Sequence, residues 1–193
     1  MTSTSEDDPE ENEIFITHYD KNGNETATFV GEQPNTKTKY EYSSQGKVQK
    51  SVKTRADGTE LSVSVYSYEA DGSYKISTTD KTFGMVDYEW FNTSGLKIRT
   101  QSPDGARRIY SYDAKGNLMG IRTEKADEGA TLVDISFTYN NKNQLIREVN
   151  TGEYSWDNKY EYNTKGLITK AIKVSGGEDY KMKTVTVYSY EFY

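Results

Sequence analysis

The chain has 193 residues, no cysteine, one histidine and a formal net charge of −6. That length suits one domain or one repeat array, and the missing thiols exclude disulfides and cysteine nucleophiles. No apolar run approaches the ~18 residues of a membrane helix, and none reads as a secretory signal core.

The charge is placed unevenly. Met1 to Glu13 carries six acidic residues (Glu6, Asp7, Asp8, Glu10, Glu11, Glu13) and no basic one, which leaves 24 acidic against 24 basic residues in the remainder. A formally neutral body argues against a nucleic-acid surface built on bulk positive charge. Residues 1–13 read as a disordered acidic leader, and residues 14–193 as a single β-repeat array.

Ile14 to Tyr19 opens that array as a strand, Tyr19-Asp20-Lys21-Asn22-Gly23 turns it, and Thr26 to Val30 returns. The same aromatic-to-glycine passage recurs at Tyr42–Gly46, Tyr68–Gly72, Phe91–Gly95, Tyr112–Gly116, Tyr139–Asn143 and Tyr162–Gly166. Successive spacings are 23, 26, 23, 21, 27 and 23 residues, the self-similarity of a repeat architecture. Tyr188-Ser189-Tyr190 begins an eighth copy. A second set of turns lies between these tips, at Arg55–Gly58 and Ser102–Gly105, with looser connections at 80–84, 125–130, 150–155 and 175–179. Sequential tight connections between about fifteen short strands specify an antiparallel meander. The predicted class is all-β, a curved, repeat-built sheet without a helix.

The fullest copy is Tyr110-Ser111-Tyr112-Asp113-Ala114-Lys115-Gly116-Asn117-Leu118. Alternation puts both tyrosine rings on one face of a strand. Asp113 accepts hydrogen bonds from amides two or three residues on. Gly116 supplies the left-handed backbone of a three-residue loop with a glycine bulge, which sets Tyr112 opposite Leu118. The structural turn residues on this reading are Asp20, Gly23, Gly46, Gly72, Gly95, Asp113, Gly116, Asn143 and Gly166. Asn143 stands where the other copies have glycine, asparagine being the next most tolerant of that conformation.

Leu, Ile, Val and Phe number 33, while tyrosine alone numbers 17. So little aliphatic volume fits a thin sheet with tyrosine ladders, each ring covering apolar area while its hydroxyl stays at a wet edge. The fourth copy departs from the others, with Tyr88, Trp90 and Phe91 before the turn and Leu96 and Ile98 after it. A register shift or a bulge there decides which face Trp90 occupies.

The motif at 110–118 resembles the repeat of the YD, or Rhs, family, and looser copies extend the resemblance over roughly residues 17–193. Members of that family are β-strand arrays in bacterial cell-surface proteins, secreted toxins and some animal adhesion receptors. Seven or eight copies are too few for the closed shell of the long toxin arrays. A weaker resemblance is to the aromatic repeats that bind choline or glucan on bacterial surfaces, whose Gly-Trp element is missing here. The leader, Ser5 to Glu11, is similar to the acidic segment after the lipidated cysteine of Bacteroidota surface lipoproteins. That similarity implies a signal peptide and lipid anchor removed from this chain, and a cell-surface or outer-membrane location, with a cytoplasmic leader as the alternative.

Catalytic chemistry has little to draw on. His18 reads as an ordinary edge residue, no multi-histidine metal site is available, and no serine stands in a nucleophile elbow. The prominent aspartates lie in turns that a capping role explains. No catalytic residue, metal ligand or cofactor is assigned, and a non-enzymatic protein is expected. The aromatic surplus carries the functional potential: Tyr88, Trp90, Tyr154 and Trp156 are the candidate stacking surface for a glycan or peptide, with cross-strand ladders as the plainer alternative. The expected function is a binding or structural module contacting a protein or glycan at the cell surface. The alternatives are a carboxylate-based glycan-active enzyme or an immunity or chaperone partner of a toxin.

Overall fold

A computed structural model describes residues 15–30, 33–124, 131–152, 155–176 and 181–190. The acidic leader, the connection at 125–130 and candidate Tyr154 lie outside the described residues. The chain divides into two compact units, one ending at Thr93 and the other starting at Ser94.

The protein is an all-β antiparallel meander of fifteen strands, ordered as in the sequence. The first unit holds β1 (Phe15–Tyr19), β2 (Glu25–Val30), β3 (Gln33–Tyr42), β4 (Val48–Arg55), β5 (Glu60–Tyr68), β6 (Tyr74–Asp80) and β7 (Val86–Phe91). The second holds β8 (Lys97–Gln101), β9 (Arg107–Tyr112), β10 (Leu118–Glu124), β11 (Thr131–Tyr139), β12 (Leu145–Asn150), β13 (Trp156–Tyr162), β14 (Ile168–Gly176) and β15 (Lys181–Val187). No helix occurs among the described residues.

Among the described residues, each strand of a unit contacts its sequence neighbours and no other strand. Each unit is therefore a single layer of sheet. In consequence no apolar side chain among the described residues is buried, and the two that pass below a tenth exposed are polar, Thr36 and Ser51, each at 8%. Cohesion comes from cross-strand pairs and from hydroxyl contacts such as Thr28 Oγ1 to Thr36 Oγ1 at 2.7 Å and Ser64 Oγ to Thr78 Oγ1 at 2.9 Å.

Register sorts the side chains of the first unit. Tyr40 faces Ser51, Ser51 faces Ser64 and Ser64 faces Thr78, so that face also carries Tyr42, Tyr66, Tyr68, Tyr74, Ile76 and Phe91 by alternation. The opposite face runs from Val52 to Val63 and from Val65 to Ser77 to Tyr88. Lys75 lies opposite Trp90 on that second face. Trp90 is thus on the side away from the tip tyrosines.

Candidate functional site

One loop chemistry closes both ends of the strands. Asp113 N–H donates to Asn117 O at 2.9 Å and Gly116 N–H donates to Asp113 O at 3.0 Å. The same pair of bonds closes Arg55–Thr59 and Ser102–Ala106 at the other end. Gly116 has φ +84° and Asn143 φ +65°, so Asn143 adopts the backbone that glycine supplies elsewhere.

The capping side chain spans further than sequence reasoning expects. Asp113 Oδ1 accepts from Lys115 N at 2.8 Å and Asn117 N at 2.9 Å, two and four residues on rather than two and three. The glycine bulge brings the fourth amide back over the loop. Asp20, Asn140 and Asn163 make the same two bonds, and Ser43 makes them at 3.2 Å. Where the third copy has Glu69, the cap moves to Asp71, which accepts from Ser73 N at 2.8 Å. Asn117 backs these bonds with its own amide and so holds the Asp113 carboxyl below the usual range. The Asn24 amide and the Tyr42 hydroxyl draw Asp20 down to about 2.

Tyrosine hydroxyls do not simply face water. Tyr68 donates to Val48 O at 3.0 Å, Tyr112 to Lys97 O at 2.7 Å, Tyr162 to Leu145 O at 2.6 Å and Tyr190 to Ile168 O at 2.8 Å. Each acceptor is two residues beyond the turn glycine or asparagine of the preceding copy. At Val48, Leu145 and Ile168 it adjoins a register shift, where a bulge takes a residue out of the ladder. The tyrosine of one repeat thus serves the bulge of the one before it. Burial raises the pKa of Tyr68, Tyr112 and Tyr162, and drives that of Tyr40, whose hydroxyl donates to Glu25 O at 2.8 Å, up to about 12.

Among the candidate binding residues, Tyr88 and Trp90 share a face of β7, their ring centroids 5.8 Å apart and tilted by 40°. Lys75 Nζ lies 4.1 Å from the Tyr88 centroid and 5.5 Å from that of Trp90, within the range of cation–π attraction. Lys75 escaped the sequence reading because its place depends on the loop joining β6 to β7. That loop is one residue longer than those at Arg55–Thr59 and Ser102–Ala106: Asp80 N–H reaches Met85 O and Gly84 N–H reaches Asp80 O, both at 2.9 Å.

Trp156 belongs to the second unit. It lies opposite Asn150 and Ser175 and shares its face with Asn158, Tyr160 and Tyr162. Asn158 donates to Glu148 Oε2 at 3.2 Å, and burial followed by the Glu148 charge raises the pKa of Tyr160. Unlike Trp90, Trp156 sits on the tip-tyrosine face. The opposite face carries a shallow depression of about 370 Å³ above Gly120, lined by Ile109, Ser111, Arg122 and Asp134. A Cβ on Gly120 would come within 3.1 Å of Ser111 Oγ. Trp156 also borders a depression of about 350 Å³ with Val149, Asp157, Val174, Gly176 and Lys181. The Asp157 carboxylate there is held by Arg147 through two bonds of 2.9 Å, and Asp134 is the sole carboxylate of the first depression.

No protein-family model matches the chain, and no curated protein does. Among solved structures it is similar to TcdB2-TccC3-Cdc42, with 13% identity over 91% of this chain and 12% of the other and a TM-score of 0.47. TcdB2-TccC3 gives 14% identity over 93% and 14% at the same 0.47. A porin-like protein from Bacteroides uniformis gives 12% identity over 90% and 92%, with a TM-score of 0.36. The chain thus spans about an eighth of the length of the toxin chains it matches. These likenesses concern strand architecture alone.

Proposed function

We propose that this protein is a non-catalytic YD-type repeat module that binds a protein or glycan at a bacterial cell surface. The observation that supports it is the pairing of Tyr88 and Trp90 under the Lys75 ammonium on one face of the sheet. In a layer with no buried apolar side chain among its described residues, no core takes up these rings. Flat aromatics beside a cation and hydroxyls suit the apolar face and the polar rim of a sugar or an extended peptide. Trp156 with Asn158 and Glu148 offers a second surface of similar chemistry in the other unit. The acidic composition of residues 1–13 supports the lipoprotein form of this reading.

The test is a glycan array together with proximity labelling of cells displaying the full-length protein, each repeated with Trp90→Ala and Trp156→Ala. A ligand lost at least tenfold by one of these substitutions supports the reading. Retention of every ligand by both variants, or the absence of any ligand in both screens, removes it.

A further inference from the structure

Tyr19 occupies the tip position that Tyr68, Tyr112, Tyr162 and Tyr190 occupy in their repeats, yet among the described residues no strand pairs with the outer edge of β1. The strand order begins at β1 among the described residues. Tyr19 is 65% exposed, beside Phe15 at 64% and Ile16 at 43%. The Asp20 N–H points into the first hairpin, toward Asn24 O at 2.9 Å. Alternation then turns the amide and carbonyl groups of Tyr19, Thr17 and Phe15 to the outer edge. That edge, Phe-Ile-Thr-His-Tyr, carries no lysine, carboxylate or proline, the residues that usually protect an edge strand. At the other end of the order β15 presents Lys181 and Lys183.

The later repeats specify what fits. In four of them the tip hydroxyl takes the carbonyl two residues beyond a turn, that is, from a hairpin's return strand. We propose that the outer edge of β1 receives the return strand of a β-hairpin from a partner protein, antiparallel, with Tyr19 donating its hydroxyl to a carbonyl just past that hairpin's turn. A second copy is the poorer occupant, because its return strands already have neighbours on both sides and its terminal strands are β1 and β15. The proposal takes the partner to be a protein, as the functional reading allows, but uses an edge and not the aromatic faces.

A labelled peptide of residues 163–176, the seventh turn with its return strand β14, serves as the probe against the full chain. Expected are saturable binding and slowed hydrogen exchange at the amides of Thr17 and Tyr19, with β15 unchanged. Thr17→Pro, which deletes a ladder donor, should weaken binding at least tenfold, and Tyr19→Phe should weaken it about three- to tenfold. Trp90→Ala should leave it intact, so failure here is separable from failure of the aromatic-face reading. No binding, binding indifferent to Thr17→Pro, or protection at β15 instead of β1 overturns the proposal. So does concentration-dependent self-association lost in Thr17→Pro, which would make the occupant a second copy.

Discussion

The hairpin β5–β6 and the hairpin β13–β14 start from the same motif and end differently. In β13–β14, Tyr162 pairs with Ile168, the register shifts by one residue, and the freed Ile168 carbonyl takes the Tyr190 hydroxyl at 2.8 Å. In β5–β6, Tyr68 pairs with Tyr74 and Ser67 with Lys75, with no shift. The next copy there has Phe91, whose ring stacks on Tyr74 at 4.6 Å and 5°. Where the bulge is present the following repeat carries a hydroxyl, and where it is absent a ring without one suffices. Tyrosine at the tip is therefore a hydrogen-bonding device as much as an apolar one.

The most severe way to break the bulged form is at its turn. Gly166 has φ +82° and a Cβ there would come within 3.2 Å of Gln144 Nε2, so Gly166→Val should destabilise the second unit by about 2–3 kcal/mol in urea unfolding. Next in size is Tyr162→Phe, which strips the partner from the Leu145 carbonyl beside its bulge and should cost about 1–3 kcal/mol. The converse change, Phe91→Tyr, meets no bulged carbonyl and should stay within about 0.5 kcal/mol. A cost for Phe91→Tyr similar to that of Tyr162→Phe would end the distinction between the two forms. Smaller again, Lys75→Ala should lose about 0.5–1 kcal/mol of cation–π attraction and shift the Trp90 fluorescence.

The pH response separates turn from tyrosine. Asp20 is lowered from 3.8 to about 2, so its contribution is full above the unfolded value and fades as pH falls from about 4 through 2. Tyr40 is raised from 10.0 to about 12, so its contribution is full below pH 10 and is lost as pH rises through 12. Circular dichroism should show an acid transition weakened in Asp20→Asn and an alkaline transition weakened in Tyr40→Phe. An alkaline transition unchanged by Tyr40→Phe would contradict the second half.

Much of the hairpin chemistry is legible in the residues. The three-residue loop at Asp113–Asn117 and the Tyr112–Leu118 pair follow from counting between aromatic and glycine. The reach of the Asp113 carboxylate to the fourth amide does not, because a bulge redirects that amide after the turn has closed. Nor does the face of Trp90, since one extra residue between Asp80 and Met85 sets the register of β7 against β6. Lys75 joins the site for the same reason: it is thirteen residues from Tyr88 and fifteen from Trp90 in sequence, and a cross-strand neighbour in space.

By itself the sequence determined the all-β class, the sequential order of strands and the backbone form of the aromatic-to-glycine turns, because these depend on residues within a few positions of one another. Tertiary structure alone decided which carbonyl each tyrosine serves, that the two tryptophans lie on opposite kinds of face, and that no apolar side chain among the described residues is buried. Those outcomes depend on register accumulated from strand to strand, and a single added or missing residue in one loop reverses a face.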